Sequence, residues 1–178
     1  MRGYFGIGVE GISKEQNVGT IARSAHAFGA SFFFAIAPAV DIEALRVSDT
    51  ADSFDHVPYH QYDSVAAMQL PQECTLVGVE LIEESVELPS FRHPTRAAYV
   101  LGPEMGSLSP EMVARCDHVV QIPMKFCVNV GVAGALVMYD RMISMGRFAE
   151  RPVRPGGPLH KLEAPKHNIR RKVRTKRK

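Results

Sequence analysis

Two short apolar runs constrain the fold of this chain more than any other feature. Ala98–Leu101 and His118–Ile122 are too short for helices and are followed by loops that contain Gly or Pro, which is typical of buried parallel strands. Tyr4–Glu10, Ser31–Ala37 and Thr75–Val79 have the same character. Stretches with helical spacing separate these runs, so the sequence predicts an α/β fold with a mostly parallel sheet and helices on both faces.

The helical stretches carry recognisable start and stop residues. Val18–Phe28 has apolar residues at helical spacing, and Gly29 would end that helix. Ser109, which precedes a proline, would begin another helix. Asn129 would cap the apolar helix Val130–Met138. Weaker patterns predict an edge strand at Val57–Tyr59 and a helix at Ser64–Met68.

Charge is divided unevenly along the chain. Residues 151–178 carry eleven Lys or Arg and one acid, a net +10, whereas residues 1–150 sum to −8. Pro and Gly interrupt the first part of the basic segment, so we predict a folded domain over residues 1–150 and a flexible basic tail over residues 151–178. The tail could bind a polyanion such as RNA, or it could be a solubilising disordered end.

Several classes of protein are not expected. Cys74, Cys116 and Cys127 lie in or beside apolar runs without metal-ligand spacing, which favours reduced thiols in a cytoplasmic protein. The seven histidines show no metal-binding motif, so we expect no metal. The apolar run Ser31–Val40 is too short to cross a bilayer, and the first residues do not resemble a secretory signal, so we expect no membrane association.

A few polar residues could carry chemistry, and each also has a simpler interpretation. Arg23 could be a surface residue paired with an acid such as Glu15, or an arginine that recognises an anion through its donor fork. Glu104 lies in a loop with two glycines and could be a solvated turn residue or orient a partner in a site. Asn129 could cap a helix and also bind a ligand. The residues alone therefore predict a small-molecule site at strand ends and no more.

Three motifs in this order resemble those of the SpoU-like branch of the SPOUT RNA methyltransferases. Asn17–Arg23 resembles motif one, and Leu101–Ser109 closely resembles motif two. Gln121–Met124, followed by Asn129–Val130 and a helix of small residues, resembles motif three. The resemblance covers nearly all of residues 4–145.

The resemblance implies a SPOUT fold with a deep C-terminal trefoil knot and an obligate homodimer. It implies S-adenosylmethionine bound by the loops after Val79, Leu101 and Ile122, and methyl transfer to a ribose 2′-hydroxyl of RNA. We expect tRNA rather than rRNA, because a dimer of small domains can grip a compact substrate. A non-catalytic RNA-binding or ribosome-assembly protein on the same fold is the alternative.

The resemblance also implies residue roles. Arg23 would be the catalytic arginine and contact RNA phosphate, and Asn17, Glu104 and Asn129 would complete the catalytic constellation. The implied cofactor-binding residues are Glu80, Leu81, Leu101, Gly102, Pro103, Glu104, Gly106, Ile122, Pro123, Met124, Cys127, Asn129 and Val130. In the tail, Arg170, Arg171, Lys172 and Arg174 would contact RNA.

Motif three departs from the usual family pattern at three points. Cys127 stands where Ser is usual, the loop from Met124 to Cys127 is short, and Gly131 stands where Ser is frequent. How the segment Lys125–Cys127 meets the cofactor is therefore open.

Overall fold

The computed structural model of the chain describes residues 3–48 and 53–158. The chain divides into two compact units, residues 1–146 and residues 147–178. All helices and strands of the described residues lie in the first unit. Residues 159–178, which include Arg170, Arg171, Lys172 and Arg174 of the predicted tail, lie outside the described residues.

Seven parallel strands form one sheet in the order β3-β2-β1-β6-β4-β7-β5. The strands are β1 (Tyr4–Glu10), β2 (Phe32–Ile36), β3 (Tyr59–Tyr62), β4 (Thr75–Val79), β5 (Val86–Glu87), β6 (Arg96–Leu101) and β7 (His118–Gln121). The helices are α1 (Glu15–Phe28), α2 (Ile42–Ser48), α3 (Ser53–His56), α4 (Pro110–Arg115) and α5 (Val130–Met145), with a short 3-10 turn at Leu88–Ser90.

Both faces of the sheet are covered. On one face Phe33 and Ala35 of β2 join a core cluster with residues of α1 and α5. On the other face Phe32, Phe34 and Ile36 join a cluster that includes residues of α4. All five residues of β2 are therefore buried, as an uninterrupted apolar strand requires. The predicted α/β fold with a parallel sheet is confirmed, while the knot stays a prediction.

Two of the weaker sequence predictions are wrong. Ser64–Met68 forms a turn, in which the Ser64 hydroxyl accepts a hydrogen bond from the Ala67 amide at 3.2 Å. A serine hydroxyl that binds a nearby amide competes with helix formation. The edge strand β3 begins at Tyr59, the last residue of the predicted strand, because Pro58 has no N–H to donate.

Helix α5 is fixed at its far end by a buried arginine. Arg141 is 0% exposed and donates to the carbonyls of Pro94 at 2.5 Å, Thr95 at 3.0 Å and Tyr4 at 3.3 Å. Its guanidinium also donates to the Tyr99 hydroxyl at 3.1 Å. These bonds attach the C-terminal part of α5 to the amino ends of β1 and β6. The N-terminal part of the helix lies at the carboxyl ends of the strands.

None of the helices within residues 3–48 and 53–158 is long and apolar enough to cross a membrane.

Candidate functional site

A cleft of about 410 Å³ lies at the carboxyl ends of β4, β6 and β7 and beside the first turn of α5. In a parallel sheet these strand ends meet at one edge, which is where ligands of open α/β sheets bind. The volume falls within the range of about 300 to 1,000 Å³ that is usual for small-molecule sites. The predicted strand-end site is therefore present as a cavity.

Most of the predicted cofactor-binding residues line this cleft. Those that line it are Glu80, Leu81, Leu101, Gly102, Pro103, Gly106, Ile122, Met124, Cys127 and Val130. Glu104, Pro123 and Asn129 are not among the lining residues. Their contact with a cofactor stays a prediction.

The cleft also has lining residues that the sequence reasoning missed: Val79, Gln121, Lys125, Phe126, Val128 and Ala133. Val79 and Gln121 are the last residues of β4 and β7, so their position was visible in the strand boundaries. Ala133 follows Val130 by one helical turn, and helical spacing would have found it.

Two carboxylates hold the last residues of motif two, which directly precede α4. Glu80 accepts a hydrogen bond from the Leu108 amide at 2.7 Å. Glu10 accepts bonds from the Ser109 amide at 2.9 Å and from its hydroxyl at 2.6 Å. Ser109 caps α4 as predicted, because its hydroxyl accepts from the Met112 amide at 3.1 Å. Gly102 allows this packing, since a Cβ there would lie 3.0 Å from the Leu108 nitrogen.

Glu104 is the centre of a hydrogen-bond network beside the cleft. One carboxylate oxygen accepts from the Ser13 amide at 3.0 Å and from the Ser13 hydroxyl at 2.9 Å. The other accepts from the Lys14 amide at 3.0 Å and from the Asn17 side-chain amide at 2.8 Å. Glu104 is thus not a solvated turn residue: it fixes the start of α1 to the loop after β6.

This network keeps Glu104 ionised. Burial by itself would raise the pKa of the carboxyl group, but hydrogen bonds from the Asn17 side chain and from Ser13 lower the pKa to about 2. Donors that bind the charged form favour that form. Glu104 therefore stays ionised below pH 4.5, where an ordinary glutamate becomes protonated.

The network continues to α5 through two asparagines. Asn129 donates from its side-chain nitrogen to the Asn17 side-chain oxygen at 2.7 Å. The Asn129 side-chain oxygen accepts from the Gly131 amide at 2.8 Å, so the predicted helix cap is confirmed. Asn17 is only 5% exposed. Side chains from all three motifs thus form one continuous chain of hydrogen bonds.

Close packing of α1 against α5 makes this chain possible. A Cβ at Gly131 would lie 2.7 Å from the Thr20 side chain, nearer than a real side chain could approach. Gly134 would meet Leu101 and Ile21 at ordinary contact distances of 3.6 and 3.9 Å. Close packing of the two helices therefore requires a glycine at position 131.

Arg23 does not join the network. It is exposed on α1 and is not a lining residue of the cleft, and its side chain makes no hydrogen bond or ion pair with another described residue. The pairing with Glu15 is therefore not formed. The catalytic role of Arg23 stays a prediction.

Metal ligands are not grouped in the described part of the chain: no three His, Cys, Asp or Glu residues there could hold an ion together. Cys127 is exposed and reduced at the edge of the cleft. The side chains of the site offer binding, orientation and charge stabilisation.

The fold and the site define a parallel α/β domain with a cleft of small-molecule size at the carboxyl ends of its central strands. The sequence model of the SpoU rRNA Methylase family matches residues 5–139. The chain belongs to this family of RNA methyltransferases.

Relatives agree with this assignment. The tRNA (guanosine(18)-2'-O)-methyltransferase TARBP1 of Mus musculus is 25% identical over 137 residues, which are 72% of this chain and 9% of that protein. The chain therefore spans about a tenth of the length of this curated relative.

Two solved structures illustrate the shared fold. The SpoU methyltransferase AviRb from Streptomyces viridochromogenes, in complex with AdoMet, superposes with a TM-score of 0.68 at 23% identity, covering 82% of this chain and 63% of that chain. A structure described as giving insight into the 2-OH methylation of C/U34 on tRNA has a TM-score of 0.70 at 22% identity, covering 82% of this chain and 92% of that chain.

Proposed function

We propose that this chain is an S-adenosylmethionine-dependent methyltransferase that methylates a ribose 2′-hydroxyl in RNA, with tRNA favoured over rRNA. The observation that carries the proposal is the chain of hydrogen bonds from Glu104 through Asn17 to Asn129, next to the strand-end cleft. It joins the three motifs of an RNA methyltransferase family in one place. The relatives named for 2′-O-methylation of tRNA support the choice of ribose and of tRNA.

The cleft fits S-adenosylmethionine. Leu101, Ile122 and Val130 offer apolar walls, which suit the faces of an adenine ring. Glu80 is the acidic side chain among the described lining residues, and its charge suits the ammonium group of the cofactor's amino-acid part. When bound, the cofactor supplies an electrophilic methyl group.

Glu104 acts as an anchor in this scheme. A carboxylate with a pKa of about 2 that already accepts four hydrogen bonds is a poor base for a hydroxyl proton. It holds the turn at Ser13 and the side chain of Asn17, and so fixes the position of α1. A ribose hydroxyl reacts only when the acceptor oxygen and the methyl group are held in line, and this rigidity contributes to that alignment.

Arg23 is available to the RNA. Its guanidinium is exposed and has no partner among the described residues, so it can bind a backbone phosphate next to the acceptor ribose. Because arginine stays protonated, it would stabilise negative charge on the reacting oxygen rather than accept the proton.

A homodimer is part of the proposal. Helix α5 exposes Val132 at 45%, Leu136 at 38% and Tyr139 at 45%, and their spacing puts them on one side of the helix. An apolar stripe of this kind is typical of a surface that another subunit covers. Light scattering at micromolar concentration should give twice the mass of the chain.

The test of the function begins with calorimetric titration of the protein with S-adenosylmethionine and S-adenosylhomocysteine, where we expect one site per chain. Radiolabelled methyl transfer to bulk tRNA and bulk rRNA follows, with mass analysis of the nucleosides. Ribose-methylated nucleosides support the proposal, and a methylated base would overturn the ribose assignment. RNA binding without transfer to any RNA would favour the non-catalytic alternative.

A further inference from the structure

Large apolar side chains are exposed around the mouth of the cleft. Leu81 is 71% exposed, Met124 is 42% exposed and Phe126 is 86% exposed, and all three line the cleft. These three residues are called the apolar rim below. Exposed apolar groups gathered at one place are typical of a binding surface.

Phe126 is the most distinctive residue of the apolar rim. It is the only aromatic side chain among the described residues that line the cleft. Its ring is free of contact with any other described ring. Lys125, directly before it, is the only basic side chain among the same lining residues. An aromatic face beside a cation is the combination that binds single-stranded nucleic acid, because bases stack on the ring and phosphates meet the charge.

The lining residues of the cleft differ in how deeply they are buried. Leu101 and Val130 are 2% and 8% exposed, so they form its buried part and suit the cofactor. Phe126, at 86% exposure, lies at the entrance. A nucleotide whose ribose approaches a methyl group in the cleft brings its base to this entrance, since the base is attached to the same ribose.

We propose that Phe126 stacks on the nucleobase of the nucleotide to be methylated, while Lys125 contacts the RNA backbone. This inference rests on the proposed function, since it concerns the RNA substrate of the same site. It assigns a role to the short segment between Met124 and Asn129, where the chain departs from the usual family pattern.

The chain contains no tryptophan, so Phe126→Trp places a single fluorescent reporter at the proposed contact. We expect bulk tRNA, or bulk rRNA if that is the substrate, to quench its emission, because stacking on a base quenches indole fluorescence. S-adenosylhomocysteine alone should leave the emission unchanged. His60→Trp is the control: His60 is an exposed ring on β3, at the sheet edge farthest from the strands of the cleft, and does not line the cleft, so its reporter should respond to neither ligand.

Binding measurements complete the test. Phe126→Ala should raise the Kd for RNA by about 5- to 150-fold, the range for loss of one base–aromatic stack, and leave the Kd for S-adenosylhomocysteine within about twofold. Phe126→Tyr should restore RNA binding, because it keeps the ring. Lys125→Ala should reduce the slope of log K against log salt by about 1.

Three results would overturn the inference. Quenching of the Phe126→Trp variant's emission by S-adenosylhomocysteine without RNA would place the cofactor against this position. Emission that changes with protein concentration would place a second subunit there. Absence of quenching at saturating RNA, while the wild-type protein transfers methyl groups, would reject the stacking contact and leave the proposed function standing. A wild-type protein that neither binds nor methylates RNA would reject both.

Discussion

Replacing Glu104 by glutamine should destabilise the protein in a pH-dependent way. The pKa of Glu104 is about 2 in the folded chain against an ordinary value of 4.5. That difference corresponds to about 3 kcal/mol of unfolding free energy at neutral pH. Because the carboxylate is still in part exposed to water, screening reduces the expected contribution to about 1 to 2 kcal/mol.

The sign of the pH dependence follows from the direction of the shift. A carboxyl group whose pKa is lowered by folding stabilises the folded state fully above its unfolded pKa. The contribution is therefore present above about pH 4.5 and is lost as the pH falls from there toward 2. The wild-type protein should lose this part of its stability over that range, and Glu104→Gln should not.

Glu104→Gln also disturbs the pairing of its donors. Each carboxylate oxygen accepts one backbone amide, from Ser13 or from Lys14. The glutamine NH2 group must replace one of these acceptors, so one amide is left without a partner, at about 1 to 2 kcal/mol. At neutral pH the variant should be less stable than the wild type by about 2 to 4 kcal/mol in all, adding the loss of charge.

Urea unfolding followed by circular dichroism between pH 7 and pH 3 measures both effects. Glu111→Gln is the matched control, because Glu111 is an exposed acid without a described hydrogen-bond partner. The difference in unfolding free energy between the wild type and Glu104→Gln should decrease by about 1 kcal/mol toward pH 3. The assigned network would be refuted if the stability of the wild type and of Glu104→Gln changed in parallel with pH. It would also be refuted if Glu104→Gln lost no more stability than Glu111→Gln.

Other variants test separate parts of the molecule. Arg23→Ala should lower methyl transfer by about 100-fold or more, as expected for loss of a charge-stabilising donor, without changing the Kd for S-adenosylhomocysteine. Arg92→Ala, at another exposed arginine, is the control and should retain activity. An Arg23→Ala variant that remains active would reject the proposed role. Gly131→Ala should lower the unfolding free energy measured in urea by about 1 to 3 kcal/mol, because the new methyl group meets Thr20. Adding Thr20→Ala should restore most of this loss. If the losses of the two single variants simply add in the double variant, the contact is contradicted. Arg141→Leu should lower the unfolding free energy by about 2 to 5 kcal/mol, since buried carbonyls lose their donors, and a fully stable variant would contradict that network.

The sheet was predictable where burial dominates the choice of residue. Strands β1, β2, β4 and β6 are apolar runs covered on both faces, and the sequence shows them directly. Strand β3 was misplaced because Tyr59–Tyr62 lies at the sheet edge and carries polar side chains without an apolar signature. The order of the strands was not predictable, because pairing across the sheet leaves no local pattern.

The site was predictable in its position and less so in its contacts. Glu104 and Asn17 are 87 residues apart and still bind each other at 2.8 Å, a pairing that spacing in one sequence cannot reveal. Asn129 was predictable as a helix cap from residue type alone. Its second bond, to Asn17 at 2.7 Å, depends on the close approach of two helices that Gly131 permits, and so emerges only in three dimensions.

The central place of β6 in the sheet has a consequence for how the chain folds. β6 lies between β1 and β4, so the first three strands cannot pair with the fourth until residues 96–101 enter the gap. During synthesis β1 and β4 would then present open edges until β6 leaves the ribosome. Pairing over such long stretches of chain slows folding. We therefore expect slow refolding in vitro, with an aggregation-prone intermediate whose open edges close only when β6 inserts.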